Sequence, residues 1–403
     1  MALGEKALES TLLIEEVVHQ LHKYLQARDY AGYDPYDGLE SRIFQVLPFK
    51  RFRITRLAWI QLMKRSPLNL RPLVLVPQSR NPKGIALCAA ALLKLGQGGK
   101  SDYEKEARVL LDWLITHQTQ GYEGVSWGYN FSWQSREFYA PKGTPNAICT
   151  IFVANAFLDA FGQLGDGRYL DIARKSCDFI LEHLLLHLGD DEVCIRYVPG
   201  SKAQVHNVNL LGAALLARVG VLTHERHLLE IARKAVLFSV RRQNANGSWY
   251  YGELPTQRWI DNFHTGFNLV ALSRYRRYMI DSSLDEVLQR GYVFWDQHFF
   301  MPDGAPKYYH NRLYPIDIHC AAQGILTYLE FAESDGQALT KAHQIAAWAI
   351  HNMRSVRGYF YYQKHRWYTI RIPYVRWSQA WMFYALSALL THRSGNEYLD
   401  RHR

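Results

Sequence analysis

Ile172-Ala173-Arg174-Lys175 recurs 59 residues further along the chain as Ile231-Ala232-Arg233-Lys234. Each copy lies in a segment whose apolar residues fall at positions i, i+3, i+4 and i+7, which is the spacing of one helix face. Four other segments share this amphipathic character, so the sequence predicts six helices with one side facing solvent. They cover residues 10–28, 102–117, 168–184, 225–240, 283–295 and 337–351.

Six further segments are helical in pattern but differ in composition. They are rich in Ala, Gly and Leu and carry almost no charge in their first turns. A helix that is apolar on most faces is buried on most faces. The chain therefore alternates solvent-facing and buried helices, and the buried ones are predicted at residues 84–95, 146–161, 207–221, 264–279, 319–332 and 377–391.

The spacing of the buried helices predicts the architecture. Polar residues at their starts (Asn146, Asn207, His264, His319 and Trp377) are separated by 61, 57, 55 and 58 residues. Linear helical solenoids have shorter repeats, of roughly 33 to 47 residues. The spacing favours an all-α (α/α)6 toroid: six helical hairpins with the buried helices inside, and small β-like loop pieces at the mouth of a central funnel.

No segment rich in Gly, Pro or Ser divides the chain, so residues 1–403 are predicted to form a single domain. Residues 29–83 lie between the first two helices as a long aromatic and basic insertion that the repeat leaves unassigned. Its apolar part is interrupted by Arg80, Asn81, Pro82 and Lys83, so no membrane span is predicted.

The amino-acid composition favours some classes of ligand over others. The 403 residues carry a formal net charge of +10, which favours an anionic ligand. The basic residues are spread along the chain rather than gathered in a tail, so nucleic acid is not predicted. Aromatic residues make up 14% of the chain, and their rings can stack on the apolar C–H face of a sugar. Oligomeric state is left open.

The five cysteines include no CxxC pair. Three of them, Cys88, Cys149 and Cys320, lie among small apolar residues, as is typical of reduced and buried cysteine. The N-terminus has no basic stretch followed by an apolar one, the pattern of a secretory signal. A cytoplasmic location is therefore expected.

In a toroid the buried helices run in one direction, so their N-terminal ends gather at one mouth. The residues there that we expect to bind substrate combine aromatic rings, amides and guanidinium groups. They are Trp127, Tyr129, Trp133, Arg136, Asn146, Asn207, Asn209, Arg258, Trp259, Arg312, Tyr314, Arg376, Trp377 and Gln379. For an Asn or Asp at a helix start, the alternative is a purely structural N-cap.

The hairpin period, the Ala- and Gly-rich buried helices and the segment Asp261-Asn262-Phe263-His264-Thr265-Gly266 resemble the (α/α)6 carbohydrate-active enzymes. That group includes glycoside hydrolases, unsaturated glucuronyl hydrolases, N-acylglucosamine 2-epimerase-like proteins, uronate lyases and glucuronyl C5-epimerases. The chain is also similar to uncharacterised proteins encoded with polysaccharide biosynthesis genes. The resemblance covers the architecture from Gly84 onward, and it implies that the funnel holds a carbohydrate.

Hydrolysis of a glycosidic bond, here in an acidic (uronate-containing) oligo- or polysaccharide, is the first interpretation. It requires two carboxyl groups, one on either side of the bond. Asp261 and Asp317 occupy corresponding places in successive repeats and are the first candidates. Glu137 and Glu253 are further candidates at the mouth, and Asp34 and Asp37, in the turn at residues 33–38, are outlying ones.

A uronate lyase or C5-epimerase is the alternative reaction on the same scaffold. It needs a base such as His206, His264, His319 or Tyr251, and a cation such as Arg376 that neutralises the substrate carboxylate. A third interpretation is a non-catalytic glycan-binding protein. No metal site and no cofactor are predicted, because no metal-ligand spacing, P-loop or GxGxxG motif is present.

These interpretations share one geometrical expectation. His206, Asp261, His264, Asp317, His319 and Arg376 should converge on one cavity.

Overall fold

The computed structural model describes residues 2–97, 101–135 and 137–392, with side chains from residue 11 onward. Both predicted sets of helices are confirmed to within a few residues at most of their ends. The solvent-facing set is α1 Ala2–Gln26, α5 Ser101–Thr116, α7 Gly167–His183, α9 Arg226–Val240, α11 Asp285–Phe299 and α13 Ala338–Met353. The buried set is α4 Pro82–Gly96, α6 Ala147–Leu164, α8 His206–Thr223, α10 Asn262–Met279, α12 Ile318–Glu330 and α14 Ala380–Leu390, which follows a π-helical turn at Val375–Gln379.

The ring of inner helices closes. Helices α4, α6, α8, α10, α12 and α14 pack on one another in chain order, and α14 packs against α4. Each outer helix from α5 to α13 packs on the inner helix before it, while α1 packs on α14 and completes the last pair. The (α/α)6 toroid predicted from the repeat is therefore confirmed.

Burial follows composition, as in α4, where every residue except Lys94 is buried. Small residues allow close packing between the layers. A Cβ atom on Gly212 of α8 would lie 2.6 Å from Ile195 Cδ1, well inside van der Waals contact. Apolar burial of this kind along all six inner helices joins the repeats into one continuous core.

Connections differ at the two ends of the ring. Turns from an inner to the next outer helix are short: α6 ends at Gly165 in the left-handed conformation, and the Asp166 side chain caps α7. Loops from an outer to the next inner helix are long and all reach the end where the inner helices begin. We call that end the mouth.

Small antiparallel strands lie in these mouth loops, as predicted. The pairs are β1 Trp133–Gln134 with β2 Tyr139–Ala140, and β3 Leu185–His187 with β4 Val193–Ile195. A three-stranded sheet joins β5 Ile316–Asp317, β6 Gln363–Lys364 and β7 Thr369–Ile370. These pairings hold the start of α12 against the loop that leads to α14.

Residues 29–83 form short helices and turns. The α-helices are α2 Arg42–Val46 and α3 Arg53–Arg65, and one-turn 3-10 helices occupy Asp37–Glu40 and Pro48–Arg51. In the part of the chain that the structure describes, α6 is the one helix long and apolar enough to cross a membrane, and most of it is buried in the core. All five cysteines are free and buried.

Candidate active site

Three of the polar residues predicted at the inner helix starts are N-caps. Asn146 Oδ1 accepts the backbone N–H of Cys149 at 2.8 Å, and Asp261 Oδ1 accepts that of His264 at 3.0 Å. Asp317 Oδ1 accepts the N–H of His319 at 2.9 Å. These bonds satisfy amide groups that the first turn of a helix leaves without partners.

Asp261 also fixes the ring of His264. Its Oδ2 atom lies 2.7 Å from His264 Nδ1 and accepts the indole N–H of Trp259 at 2.9 Å. The carboxylate is fully buried, while 22% of the His264 side chain is exposed. The Nδ1 contact leaves Nε2 as the edge that can exchange a proton with a ligand. Tyr251 lies beside it, with ring centroids 4.5 Å apart.

Asp317 and His319 lie at the next inner helix start, and here the two side chains do not bind each other. Asp317 accepts the indole N–H of Trp377 at 3.0 Å and the amide of Gln363 at 2.6 Å. Burial raises the pKa of this carboxyl to about 6. Neither ring nitrogen of His319 has a hydrogen-bond partner among the described residues.

Below these groups lies the floor of the funnel, which we define as Lys83, Phe152, Phe267, His319 and Trp381. They come from α4, α6, α10, α12 and α14, so five of the six inner helices supply it. The Lys83 ammonium nitrogen lies 4.2 Å from the centroid of Phe152 and 5.0 Å from that of Trp381. The His319 ring is 4.6 Å from that of Trp381.

Aromatic side chains line the funnel above the floor. Tyr197, Tyr251 and Tyr308 keep partial solvent access, yet burial raises the pKa of each phenol well above its usual value. Both properties together are typical of residues deep in a concave site. Trp133 lies 5.4 Å from Tyr197, ring to ring, and adds a second platform. Such walls can stack against sugar rings.

The insertion reaches into this mouth and changes the role expected for Arg376. The Arg376 guanidinium donates two hydrogen bonds to Asp34, of 2.6 and 2.8 Å, and both side chains are 5% exposed. Arg71 fastens the same loop by pairing with Asp37 at 2.6 Å. Arg376 was predicted to bind a substrate carboxylate, but its guanidinium already binds the Asp34 carboxylate through two hydrogen bonds. It joins the insertion to the ring.

Two other predicted arginines lie on the rim. Arg258 and Arg312 line an open cavity of about 690 Å³ together with Trp259 and Tyr309. The Arg312 guanidinium lies 4.3 Å from the Tyr309 ring centroid. Neither arginine forms an ion pair with any carboxylate among the described residues, so this rim is where the sequence-predicted guanidinium groups are open to a ligand.

Several predicted site residues point away from the funnel, and these predictions are corrected. His206 Nδ1 lies 3.0 Å from Ser239 of α9 and its Nε2 lies 2.8 Å from Glu253, so both nitrogens are engaged behind α8. Asn209 donates to Ala235 and Ser239, also toward α9. The expected convergence of all six residues on one cavity is therefore wrong for His206.

Two further predictions fail because the side chains complete the core. Trp127 is fully buried and donates to the carbonyl of Leu114 at 2.9 Å. Gln379 exchanges two hydrogen bonds with the backbone of Phe360. Both side chains satisfy backbone groups instead of facing the funnel, and a buried amide or carbonyl is costly when left unbonded.

The remaining predicted residues are placed as follows. Tyr129 is 9% exposed, its hydroxyl lies 2.9 Å from that of Tyr197, and the Arg376 guanidinium covers its ring. Trp377 packs between His319 and Phe263. Asn207 is buried, and its Oδ1 atom has no hydrogen-bond partner within the described part of the chain; Tyr314 packs on the core while partly exposed. Arg136 lies outside the described residues.

Sequence reasoning missed Lys83, Tyr197 and Tyr308. The sequence does contain a signal for Lys83: it is the one charged residue in the first turn of a helix that is otherwise mostly apolar. The tyrosines sit in loops without a repeat pattern, so only the folded structure shows them. Among the described residues, no three His, Cys, Asp or Glu side chains gather closely enough to hold a metal ion.

No protein-family model and no curated protein sequence matches the chain. Solved structures do match in fold. An unsaturated glucuronyl hydrolase specific for heparin superposes with a TM-score of 0.62 at 13% identity over 95% of this chain and 96% of its own. Cellobiose 2-epimerase from Bacillus thermoamylovorans gives 0.61 at 11% identity over 77% and 87%.

A third match is a family 76 glycoside hydrolase (mannosidase) from Bacteroides thetaiotaomicron, with a TM-score of 0.60 at 10% identity over 93% of this chain and 98% of its own. All three are carbohydrate-active enzymes. The resemblance predicted from the sequence is thus confirmed at the level of fold.

Proposed function

We propose that this protein is a carbohydrate-active enzyme that moves a proton at a carbon next to the carboxylate of an acidic sugar. His264 is the general base. The observation that carries the proposal is the contact between Asp261 and His264 Nδ1, which leaves Nε2 as the open edge of a partly exposed imidazole. The similar structures include enzymes named as an epimerase and as a glucuronyl hydrolase.

A histidine held in this way is suited to proton transfer. A carboxylate at Nδ1 fixes the tautomer and ring orientation, and it stabilises the imidazolium that forms when Nε2 takes a proton. Asp261 is itself held by Trp259 and by the backbone of His264, so the pair is prearranged. General base catalysis from such a group contributes about 10²- to 10⁴-fold in rate.

The carboxylates fit hydrolysis less well. A glycosidase needs two carboxyl groups that reach either side of one bond. Asp261 and Asp317 are both fully buried and occupied by caps and indole donors. Asp34 is bound to Arg376 and Asp37 to Arg71. Proton transfer by one accessible imidazole needs no second carboxylate.

The acidic substrate is supported by the rim. Arg258 and Arg312 can each present a planar pair of N–H donors to a carboxylate, while Trp259 and Tyr309 offer faces for stacking. The formal net charge of +10 adds a long-range attraction for an anionic glycan.

Solvent-deuterium exchange tests the proposal. The protein is incubated in D₂O with uronate-containing oligosaccharides, and loss of the C5 proton signal is followed by NMR together with near-ultraviolet absorbance. Exchange without absorbance indicates epimerisation, and absorbance indicates elimination. His264→Asn should abolish either signal. New reducing ends without exchange or absorbance would contradict the proposal.

Hydrolysis remains the second candidate because of Asp317. Its pKa of about 6 would keep it largely protonated in mildly acidic solution, as a general acid must be. If Asp317→Asn removes activity while His264→Asn does not, this candidate replaces the first.

A further inference from the structure

Lys83 occupies an unusual position for a cation. It lies in the first turn of α4, where the helix dipole is positive, and it is only 4% exposed. Three aromatic rings surround its Nζ atom, at 4.2 Å for Phe152, 5.0 Å for Trp381 and 5.8 Å for Phe267. The rings favour a positive charge there, but they cannot accept its hydrogen bonds as a carboxylate would.

No counter-ion is in place. Within the described residues, no carboxylate or carbonyl oxygen bonds Lys83 Nζ, and the nearest carboxylate, Asp34, is taken by Arg376. The other titratable groups facing Lys83 are Arg376, His319 and the thiol of Cys149. Burial, reinforced by Arg376, holds the Lys83 pKa well below its usual value.

His319 gives an independent sign of a missing ligand. It is 1% exposed, and both of its ring nitrogens lack partners among the described residues. Its ring shares Trp381 and Phe267 with Lys83. Lys83 is close enough to lower the pKa of the imidazole. Buried polar groups are nearly always hydrogen-bonded, so a lysine and a histidine that border the same two rings, without hydrogen-bond partners among the described residues, point to something that binds between them.

We propose that Lys83 and His319 form an anion subsite at the floor of the funnel that takes the carboxylate of a uronate. On binding, one proton from solvent is added to Lys83 Nζ, and His319 donates a neutral ring N–H to the same carboxylate. This subsite rests on the proposed function for its place in the reaction: neutralising the carboxylate makes the proton on the adjacent carbon easier to remove.

Space and position agree with a carboxylate. Phe152, whose ring centroid lies 4.2 Å from Lys83 Nζ, is partly exposed although it lies on an inner helix, so solvent reaches this side of the floor. His264 lies near the floor, because its ring centroid is 6.4 Å from that of Phe267, and the Phe267 centroid is 5.8 Å from Lys83 Nζ. A sugar whose carboxylate reached Lys83 would therefore lie next to the proposed base.

Calorimetric titration tests the subsite without requiring activity. D-glucuronate and its neutral counterpart D-glucose are titrated into the protein at pH 7, in two buffers of different ionisation enthalpy. Glucuronate should bind at least about tenfold more tightly than glucose and take up close to one proton per site. Between pH 7 and 8 its affinity should fall by up to about tenfold, because the added proton becomes harder to obtain.

Lys83→Met should remove both the preference for glucuronate and the proton uptake. Lys94→Met is the matched control: it makes the same substitution in the same helix, at the far end of the ring. It should leave both unchanged. Lys83→Arg keeps a permanent charge, so it can still bind glucuronate but should show no proton uptake. His319→Asn should weaken glucuronate binding several-fold and retain the uptake.

Three results would overturn the subsite: no glucuronate binding at millimolar concentration, equal affinity for the two sugars, or proton uptake that survives in Lys83→Met. His264→Asn separates this inference from the proposed function, because it should lose exchange activity while binding glucuronate normally. If wild-type activity is absent but the subsite titrates as expected, only the proposed function fails.

Discussion

Helices α10 and α12 both begin with an aspartate and a histidine, and they give their histidines opposite surroundings. Each starts with an aspartate cap, and a histidine follows three residues after Asp261 but two residues after Asp317. The third residue after a cap can reach back to it, as in a capping box, whereas the second points elsewhere around the helix. Thus His264 is held by Asp261, and His319 is left without a partner.

A difference of one residue in the spacing from aspartate to histidine therefore decides whether the histidine is held as a base or is buried without a hydrogen-bond partner. The two aspartates differ as well. Asp261 lies beside a partly exposed imidazole, while Asp317 is enclosed by Trp377 and Gln363, and burial raises its pKa. Variants at the two helix starts can test whether this contrast is real.

The largest effect is expected for His264→Asn. The Asn side chain can keep the bond to Asp261 in place of Nδ1, but it has nothing at the position of Nε2. We expect kcat/KM for the exchange reaction to fall by about 10²- to 10⁴-fold with little change in Tm. His351→Asn on the exposed face of α13 is the control. Activity within about tenfold of wild type would remove His264 from the mechanism.

Asp317→Asn should change how stability depends on pH. The folded carboxyl has a pKa of about 6, above the value of about 3.9 in an unfolded chain. The protonated carboxyl therefore contributes about 2–3 kcal/mol to the free energy of unfolding. This contribution is fully present below about pH 4 and is lost as pH rises through 6. The variant cannot ionise, so its free energy of unfolding relative to wild type should rise by that amount between pH 4 and 7. Urea unfolding at both pH values measures it, and a constant difference would show that the carboxyl is not perturbed.

A smaller contrast is expected between the two indole donors. Trp377→Phe leaves a buried carboxylate oxygen short of a donor and should cost about 1–3 kcal/mol of unfolding free energy. Trp259→Phe removes the corresponding donor from the equally buried Asp261, but Trp259 and His264 beside it are partly exposed, so water can replace the lost donor and about 0.5–1 kcal/mol is expected. Chemical denaturation of both variants measures these losses of unfolding free energy. Equal losses would show that the surroundings of the two carboxylates do not differ.

The smallest effect is expected for His319→Leu. This imidazole makes no hydrogen bond within the described residues, so its removal should change the free energy of unfolding by less than about 1 kcal/mol, with either sign. His206→Leu is the comparison, since that equally buried ring loses two hydrogen bonds and should cost about 2–4 kcal/mol. Similar losses in thermal and urea unfolding would mean that His319 has a structural partner.

The sequence alone determined the alternation of helices and their closure into a toroid. Helical periodicity and apolar content are local properties, and a repeat of near-constant length carries them around the ring. It also located the mouth and the caps Asn146, Asp261 and Asp317, because a cap acts within three residues of itself.

Only the tertiary structure decided which polar groups are free. Arg376 and Asp34 are 342 residues apart in sequence, and no local pattern indicates that they pair. Likewise, His206 carries the same signal at its helix start as His264, but its ring turns toward α9. Lys83 became a candidate ligand group only when four other inner helices placed aromatic rings and His319 around it. Charge pairing and burial depend on neighbours from distant parts of the chain, so they can be determined only from the tertiary structure.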